Sequence, residues 1–343
     1  MIGFFIRIRN SLIYRIRLAY FRLTTNYWQF ITRILISNKR ERKQRESLFV
    51  WVPVWGNRHI DWFFEYALPS LLTSDNLPLV AKKKNIKICF YTKDSDSSLI
   101  AERMESQVCN YKYSIQTESN FNDHARDMMS NFMIHILDEC IKNNALMLVT
   151  LPDFIFSNGS VSNMVELSDG KGVSVSVAHP RVSVESLKKN NIDIANLSKN
   201  TLNMVKVAMK CRHESLLQAD ETNDLNSTTS GIATRQIPSG LAVIHNLPAV
   251  YLCSPIKDDL SFFKRRPDFN SIDKHWPNLL FRQSRLKVVG SSDIAFLIEL
   301  TSDADKKPIV ESGMKYNDQY LSCGSYLPFV NYSNVIVGLW RSK

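Results

Sequence analysis

The residues best placed for chemistry follow a strongly apolar run. Ala145–Leu151 reads ALMLVTL and passes directly into Pro152 and Asp153. Proline has no N–H for the next ladder bond and so closes a strand. The Asp153 carboxylate is therefore expected at the carboxyl end of a buried strand, the edge where open α/β sheets bind ligands. Ser157, Asn158, Gly159 and Ser160 follow, setting hydroxyl and amide groups around a turn whose glycine leaves room for close approach. One carboxylate there can hold a divalent cation, because hard cations take oxygen ligands and keep several waters. It can equally accept from a ribose hydroxyl. Asp153 is thus the candidate metal ligand, and Asp153, Asn158 and Ser160 are candidate cofactor-binding residues. The competing reading is structural, with Asp153 and Ser160 capping the next helix.

The elements that must position this turn form an alternating series. LFVWVPVW (48–55), IKICFYT (86–92), YKYSIQT (111–117), ALMLVTL (145–151) and VSVSVA (173–178) read as strands. DWFFEYALPSLL (61–72), a segment from about Leu99, and 122–143 read as helices, the last with Met129, Phe132, Met133, Ile136 and Leu137 inward. Strands alternating with helices predict a mainly parallel central sheet flanked by helices, an α/β fold. The runs 241–253 and 286–300 supply further strands, while the polar stretch 218–240 reads as a long flexible loop. Residues 303–343 read as a C-terminal loop and helix. Neither GxGxxG nor a Walker A sequence occurs.

Composition narrows the class. The chain has 343 residues, 44% hydrophobic and 22% charged, with only 11 Gly and 12 Pro, which excludes collagen-like, low-complexity and wholly disordered chains. The net charge of +10 is unevenly placed: residues 1–46 carry 11 Lys and Arg against Glu41 and Glu46, leaving 32 basic against 31 acidic residues elsewhere. A nucleic-acid binder carries its positive stripe on the folded body, so no nucleic-acid partner is expected. On a helix, Phe5, Ile8, Leu12, Ile16, Ala19 and Leu23 share one face, with Arg7, Arg15, Arg17 and Arg22 on the others. Segment 1–46, including the Lys39–Arg45 cluster, is expected to lie on an anionic membrane surface. Six cysteines, at 89, 109, 140, 211, 253 and 323, show no zinc spacing and read as reduced, buried thiols of a cytoplasmic protein.

WVPVWGNRHIDWFFEYALPSLLTSDNLP, IKICFYT, LPDFIFSNGS and GKGVSVSVAHPRVS together resemble a bacterial group of glycosyltransferases with a GT-A-like nucleotide-sugar domain. The resemblance spans roughly residues 48–300 and implies a GT-A-like catalytic domain over 47–302, a nucleotide sugar donor, and Mn or Mg held after the fourth strand. Where such enzymes carry an Asp-x-Asp pair this chain has Leu151-Pro152-Asp153, and Asn158 stands where the group tends to have a second acid. FNSIDKHW and VVGSSDIAFLIEL carry over Asp273 and Asp293, with Ser291 replacing an acid.

Sugar transfer needs a general base for inversion or stabilisation of an oxocarbenium-like transition state. Asp273 and His245 are the catalytic candidates, ahead of His179, Asp293 and Glu299. Arg181 can contact a pyrophosphate bidentately, and Thr92, closing the strand 86–92, joins it among the cofactor-binding candidates. The expected activity is transfer from a nucleotide sugar to a glycan or lipid-linked acceptor at the inner face of the cell membrane. The alternative is a non-catalytic GT-A-like scaffold that has lost acidic metal ligands.

Overall fold

A computed structural model describes residues 44–107, 111–118, 125–177, 179–214, 232–237, 240–245, 249–265, 276–289, 292–305 and 334–339. The first strand, β1 (Ser47–Pro53), is apolar throughout, and its side chains alternate between two cores. Leu48, Val50 and Val52 face one core, with Phe63, Leu68 and Leu71 of the following helices. Phe49 and Trp51 face the other, with Met133, Leu137 and Trp276. The same division splits Ile88 and Phe90 from Cys89 and Tyr91 on β2 (Asn85–Lys93), and Leu146 and Leu148 from Met147 and Val149 on β4 (Ala145–Val149). A sheet covered on both faces needs such two-sided strands, which accounts for the continuous apolar runs.

The central sheet has seven strands in the order β11-β6-β10-β4-β1-β2-β3, adding β3 (Lys112–Glu118), β6 (Ser174–Val177), β10 (Val250–Cys253) and β11 (Leu286–Val289). β1 pairs in parallel with β2 and β4, β2 with β3, and β6 with β11; β10 runs antiparallel to both its neighbours. The fold is therefore α/β with a mainly parallel central sheet between helices. A three-stranded sheet, β5 (Phe154–Phe156), β12 (Leu297–Thr301) and β7 (Arg181–Ser183), sits on its own core with helices Val184–Lys189, Ile194–Leu197 and Thr201–Lys210.

Several boundaries differ from the sequence reading. The run 241–253 divides between β9 (Gly240–His245), in a third sheet, and β10 in the central one. The run 286–300 likewise divides between β11 and β12. Part of the loop expected over 218–240 is β8 (Ile232–Ile237), paired antiparallel with β9. In place of the expected C-terminal helix, Asn334–Leu339 forms β13 on the other side of β9, since its valines and isoleucine suit a strand.

The basic segment also ends earlier than residue 46. Arg45 N donates to Asp169 Oδ1 (2.9 Å), its guanidinium donates to Asn144 Oδ1 (3.1 Å) and the Pro255 carbonyl (2.8 Å), and its carbonyl accepts from Lys84 Nζ (2.6 Å). Glu46 N bonds the Asn144 carbonyl, fixing the entry into β1. Arg45 thus belongs to the folded body, and residues 1–43 lie outside the described residues. Cys89, Cys140, Cys211 and Cys253 are buried free thiols, as expected. Among the described residues no helix is long and apolar enough to cross a membrane.

Candidate functional site

From β1 the chain moves outward through β2 to β3, then returns to place β4 on the other side of β1. The reversal creates a topological switch point between β1 and β4, and ligands of open α/β sheets bind outside the carboxyl ends of the strands at such a point. Two segments leave there. The first, after β1, turns at Gly56, whose φ of 77° suits glycine and whose N–H donates to Asp96 Oδ2 (2.7 Å). It opens the helix Asn57–Trp62, where the Arg58 guanidinium lies 5.3 Å over the Trp62 ring. The second, after β4, turns through Leu151 and Pro152 to Asp153.

The three-stranded sheet then assembles a charged group around Asp153. Its register sets Glu299 opposite both Phe154 and Arg181, and Leu300 N donates to the Asp153 carbonyl at 2.8 Å. Arg181 Nε lies 2.9 Å from Glu299 Oε1, an ion contact bent too far for a hydrogen bond. Glu299 Oε2 is 3.0 Å from His179 Nε2, and His179 Nδ1 meets the Tyr251 hydroxyl. Phe154 packs on both the His179 and Tyr251 rings, at 5.3 and 5.4 Å between centroids. A continuous chain, Tyr251–His179–Glu299–Arg181, thus joins β10 to β7 and β12.

Asp153 stands apart from that chain of contacts. Its Oδ1 is buried without a hydrogen-bond partner, the one carboxylate oxygen so placed among the described residues. Burial, then the Glu299 charge, raise its pKa above the ordinary carboxylate range, against the opposing charges of Arg181 and Arg58. Burial pushes Glu299 upward too, but Arg181 and the His179 hydrogen bond outweigh it and hold Glu299 below that range. Of the two acids, Glu299 keeps the charge and Asp153 the proton. A native structure satisfies nearly all its buried polar groups, so a water, an ion or a ligand group is expected to meet an orphaned carboxyl oxygen at a switch point.

The other candidates are spread more widely. Thr92 ends on the same edge of the sheet, at the carboxyl end of β2, with a buried hydroxyl that also has no partner. Asn158 pairs reciprocally with Asp75: Nδ2 donates to Oδ2 (2.7 Å) and Asp75 N donates to Asn158 Oδ1 (2.9 Å). The Ser160 hydroxyl is buried, 2.8 Å from Ser157 Oγ, donating to the Phe296 carbonyl (3.0 Å) and accepting from Phe296 N (2.9 Å). It does not cap the helix Ser160–Ser168. Gly159 occupies the N-cap position, and Asn76 Oδ1 accepts from Val161 N (2.9 Å) across 85 residues. His245 is the last residue of β9, with its side chain outside the described residues, and Asp273 lies outside them altogether. Asp293 is exposed on the turn before β12.

Glu299 and His179 rank behind Asp273 and His245 in the sequence reading, and Tyr251 is not among the candidates. Glu299 interrupts an apolar strand, LIEL, and an acid in such a run is itself a signal. Tyr251, in VYLC, carried none.

The donor set fits a divalent cation poorly. Asp75 is engaged by Asn158 and Glu299 by Arg181 and His179, while the Arg181 and Arg58 charges act on Asp153. Among the described residues no three His, Cys, Asp or Glu side chains converge as a metal site would require.

No family model matches the chain, and no curated protein matches it. Solved structures similar to it include one from Bacillus anthracis described as a glucose-1-phosphate thymidylyltransferase in complex with sucrose, at 10% identity and a TM-score of 0.38, covering 71% of this chain and 86% of that one. Another is the mannosyltransferase PcManGT from Pyrobaculum calidifontis in complex with GDP-Man and Mn2+, at 12% identity and a TM-score of 0.28, covering 57% of this chain and 61% of that one. A third is 4-diphosphocytidyl-2C-methyl-D-erythritol synthase from Anaerococcus prevotii DSM 20548, at 12% and 0.28, covering 39% of this chain; the present chain spans 56% of that protein. Two of the three are transferases by name, a thymidylyltransferase and a mannosyltransferase.

Proposed function

We propose that this protein is a glycosyltransferase that binds a nucleotide sugar at the β1/β4 switch point and moves the sugar to a membrane-borne or surface glycan acceptor. One observation carries the reading: an orphaned, buried Asp153 oxygen stands at the carboxyl edge of β4, beside the Arg181–Glu299 pair. Arg181 supplies planar, charge-assisted contacts for a diphosphate. The Asp153 carboxyl, holding its proton, can donate to and accept from a ribose or sugar hydroxyl. Calorimetric titration with UDP-, GDP-, CMP- and dTDP-sugars tests the donor half. Saturable binding of at least one of them, lost in Arg181→Met, supports it; no binding across the panel refutes it.

The membrane half rests on the charge division at the N-terminus, which supports an anionic, cytoplasm-facing surface as the setting for the acceptor. A second reading is a donor-binding scaffold without turnover, favoured by the Asn158–Asp75 pairing, which engages in the fold a position where a second acid would serve catalysis. Donor binding with neither transfer nor hydrolysis would select it.

A further inference from the structure

Two acids near this edge, Asp75 and Glu299, already hold other partners. Asp75 and Asn158 lock the turn before the helix Leu77–Ala81 to the turn before the helix Ser160–Ser168. Glu299 is held on both oxygens, by Arg181 at 2.9 Å and His179 at 3.0 Å. Asp153, next to the Arg181–Glu299 pair, is a single carboxyl on which the Arg181 and Arg58 charges act, and among the described residues no three acid, His or Cys side chains converge. A divalent cation takes about six oxygen ligands, commonly from more than one acid. Here it would sit among like charges on a single acid. A nucleoside diphosphate has the opposite need, since its charge must be met by cations.

Resting on the donor reading above, we infer that the protein binds a nucleoside diphosphate sugar without a metal ion, with Arg181 meeting the diphosphate charge and Glu299, His179 and Tyr251 as the positioning residues that set it. Exposure along the chain of contacts is graded accordingly. The Arg181 side chain is 27% exposed, Glu299 16% and His179 5%, so exposure falls from Arg181 toward the residues that support it, with Arg181 Nε itself buried. Glu299 draws Nε, the nitrogen nearest the stem, by charge, and so holds that edge of the guanidinium beside β12. That orientation matters because a guanidinium recognises phosphate through a planar fork, and losing rotational freedom beforehand lowers the cost of binding. His179 is pinned in turn between Glu299 and the Tyr251 hydroxyl, with Phe154 packed against its ring. Tyr251 comes from β10 and Arg181 from β7, so the central sheet and the smaller sheet together hold the guanidinium.

The test uses the full chain in two arms. In the first, Mn2+ alone is titrated into the wild type and Asp153→Asn, with electron paramagnetic resonance reporting bound ion. Identical traces are expected; a wild-type site that Asp153→Asn loses would overturn the inference. In the second, the nucleotide-sugar panel is titrated with Mn2+ and again with EDTA. Donor affinity should agree between the two within about twofold, fall about tenfold or more in Arg181→Met, and recover in part in Arg181→Lys. Tyr251→Phe, which keeps the ring and its packing but removes a buried hydrogen bond to His179, should lower the thermal midpoint and also weaken donor binding severalfold at a temperature where the variant is fully folded, a loss that a purely structural hydroxyl would not produce. Donor binding that needs Mn2+ overturns the metal-free assignment and leaves the donor reading standing. No binding under either condition overturns both, and full affinity in Tyr251→Phe removes the positioning roles.

Discussion

Arg181 and Glu299 stand directly opposite each other across the parallel pair β7 and β12, and their charges meet at 2.9 Å. The pair is partly buried, so it gains more than a surface ion pair and costs more to break. Arg181→Met would leave the Glu299 carboxylate with His179 as its remaining contact and should destabilise the fold by about 1–3 kcal/mol. Adding Glu299→Gln removes the stranded charge and should recover most of that loss. Donor affinity should not return with stability. Thermal unfolding and calorimetry on the single and double variants separate the two effects, and donor binding that tracks stability would contradict a ligand-facing role for Arg181.

Asp153 ties stability to pH with a definite sign. Its native pKa lies above the unfolded value, so the native state binds more protons between the two. The contribution is fully present below about pH 4, the ordinary value for Asp, and is lost as pH rises through the native value. Asp153→Asn has no proton to lose. Its thermal midpoint should therefore gain on the wild type as pH is raised from 4 toward 8. Glu299, held low, acts in the opposite sense at acid pH, but it is common to both proteins. Midpoint curves that stay parallel across this range would show that Asp153 is not held neutral.

The strands around this site were legible because each is apolar on both faces, as Leu48, Val50 and Val52 against Phe49 and Trp51 show. Which sheet a strand joins was not legible. Val250–Cys253 and Gly240–His245 belong to one apolar run yet enter different sheets, since periodicity reports burial and not partners. The site divides in the same way. Asp153 was visible from the strand–proline boundary, whereas the Ser160 hydroxyl is used by the Phe296 backbone, 136 residues away, and no local pattern encodes that contact. Glu299 stood out as an acid in an apolar strand, but its partners come from other strands and only register brings them together.

Arg45 is tied into the folded body through both its backbone and its side chain. Relative to deleting residues 1–43, deleting 1–46 also removes the Arg45 bonds to Asp169, Asn144 and Pro255 and should cost about 1–3 kcal/mol more, the worth of buried hydrogen bonds. Both truncations should fail to sediment with anionic liposomes, and binding of the full chain should weaken with salt. Equal sedimentation of full-length and truncated forms would refute the membrane assignment for this segment.

Asn158→Asp places a second carboxylate against Asp75 Oδ2, where Asn158 Nδ2 now donates at 2.7 Å. It exchanges a hydrogen bond for like-charge contact at an exposed site. The thermal midpoint should fall by an amount equivalent to about 1 kcal/mol, with no gain of Mn2+ affinity. A variant that binds Mn2+ and donor together more tightly than the wild type would show that this turn faces the ligand.

The central claim is that the β1/β4 edge beside Asp153 receives a nucleotide sugar. It is tested most directly by titrating the donor panel into the wild type, Asp153→Asn and Arg181→Met, with circular dichroism confirming that each is folded. The account predicts saturable binding of at least one nucleotide sugar by the wild type, strong loss in Arg181→Met, and loss of binding or of turnover in Asp153→Asn with its fold intact. A wild type that binds no member of the panel, or variants that bind and turn over donor as the wild type does, would contradict it.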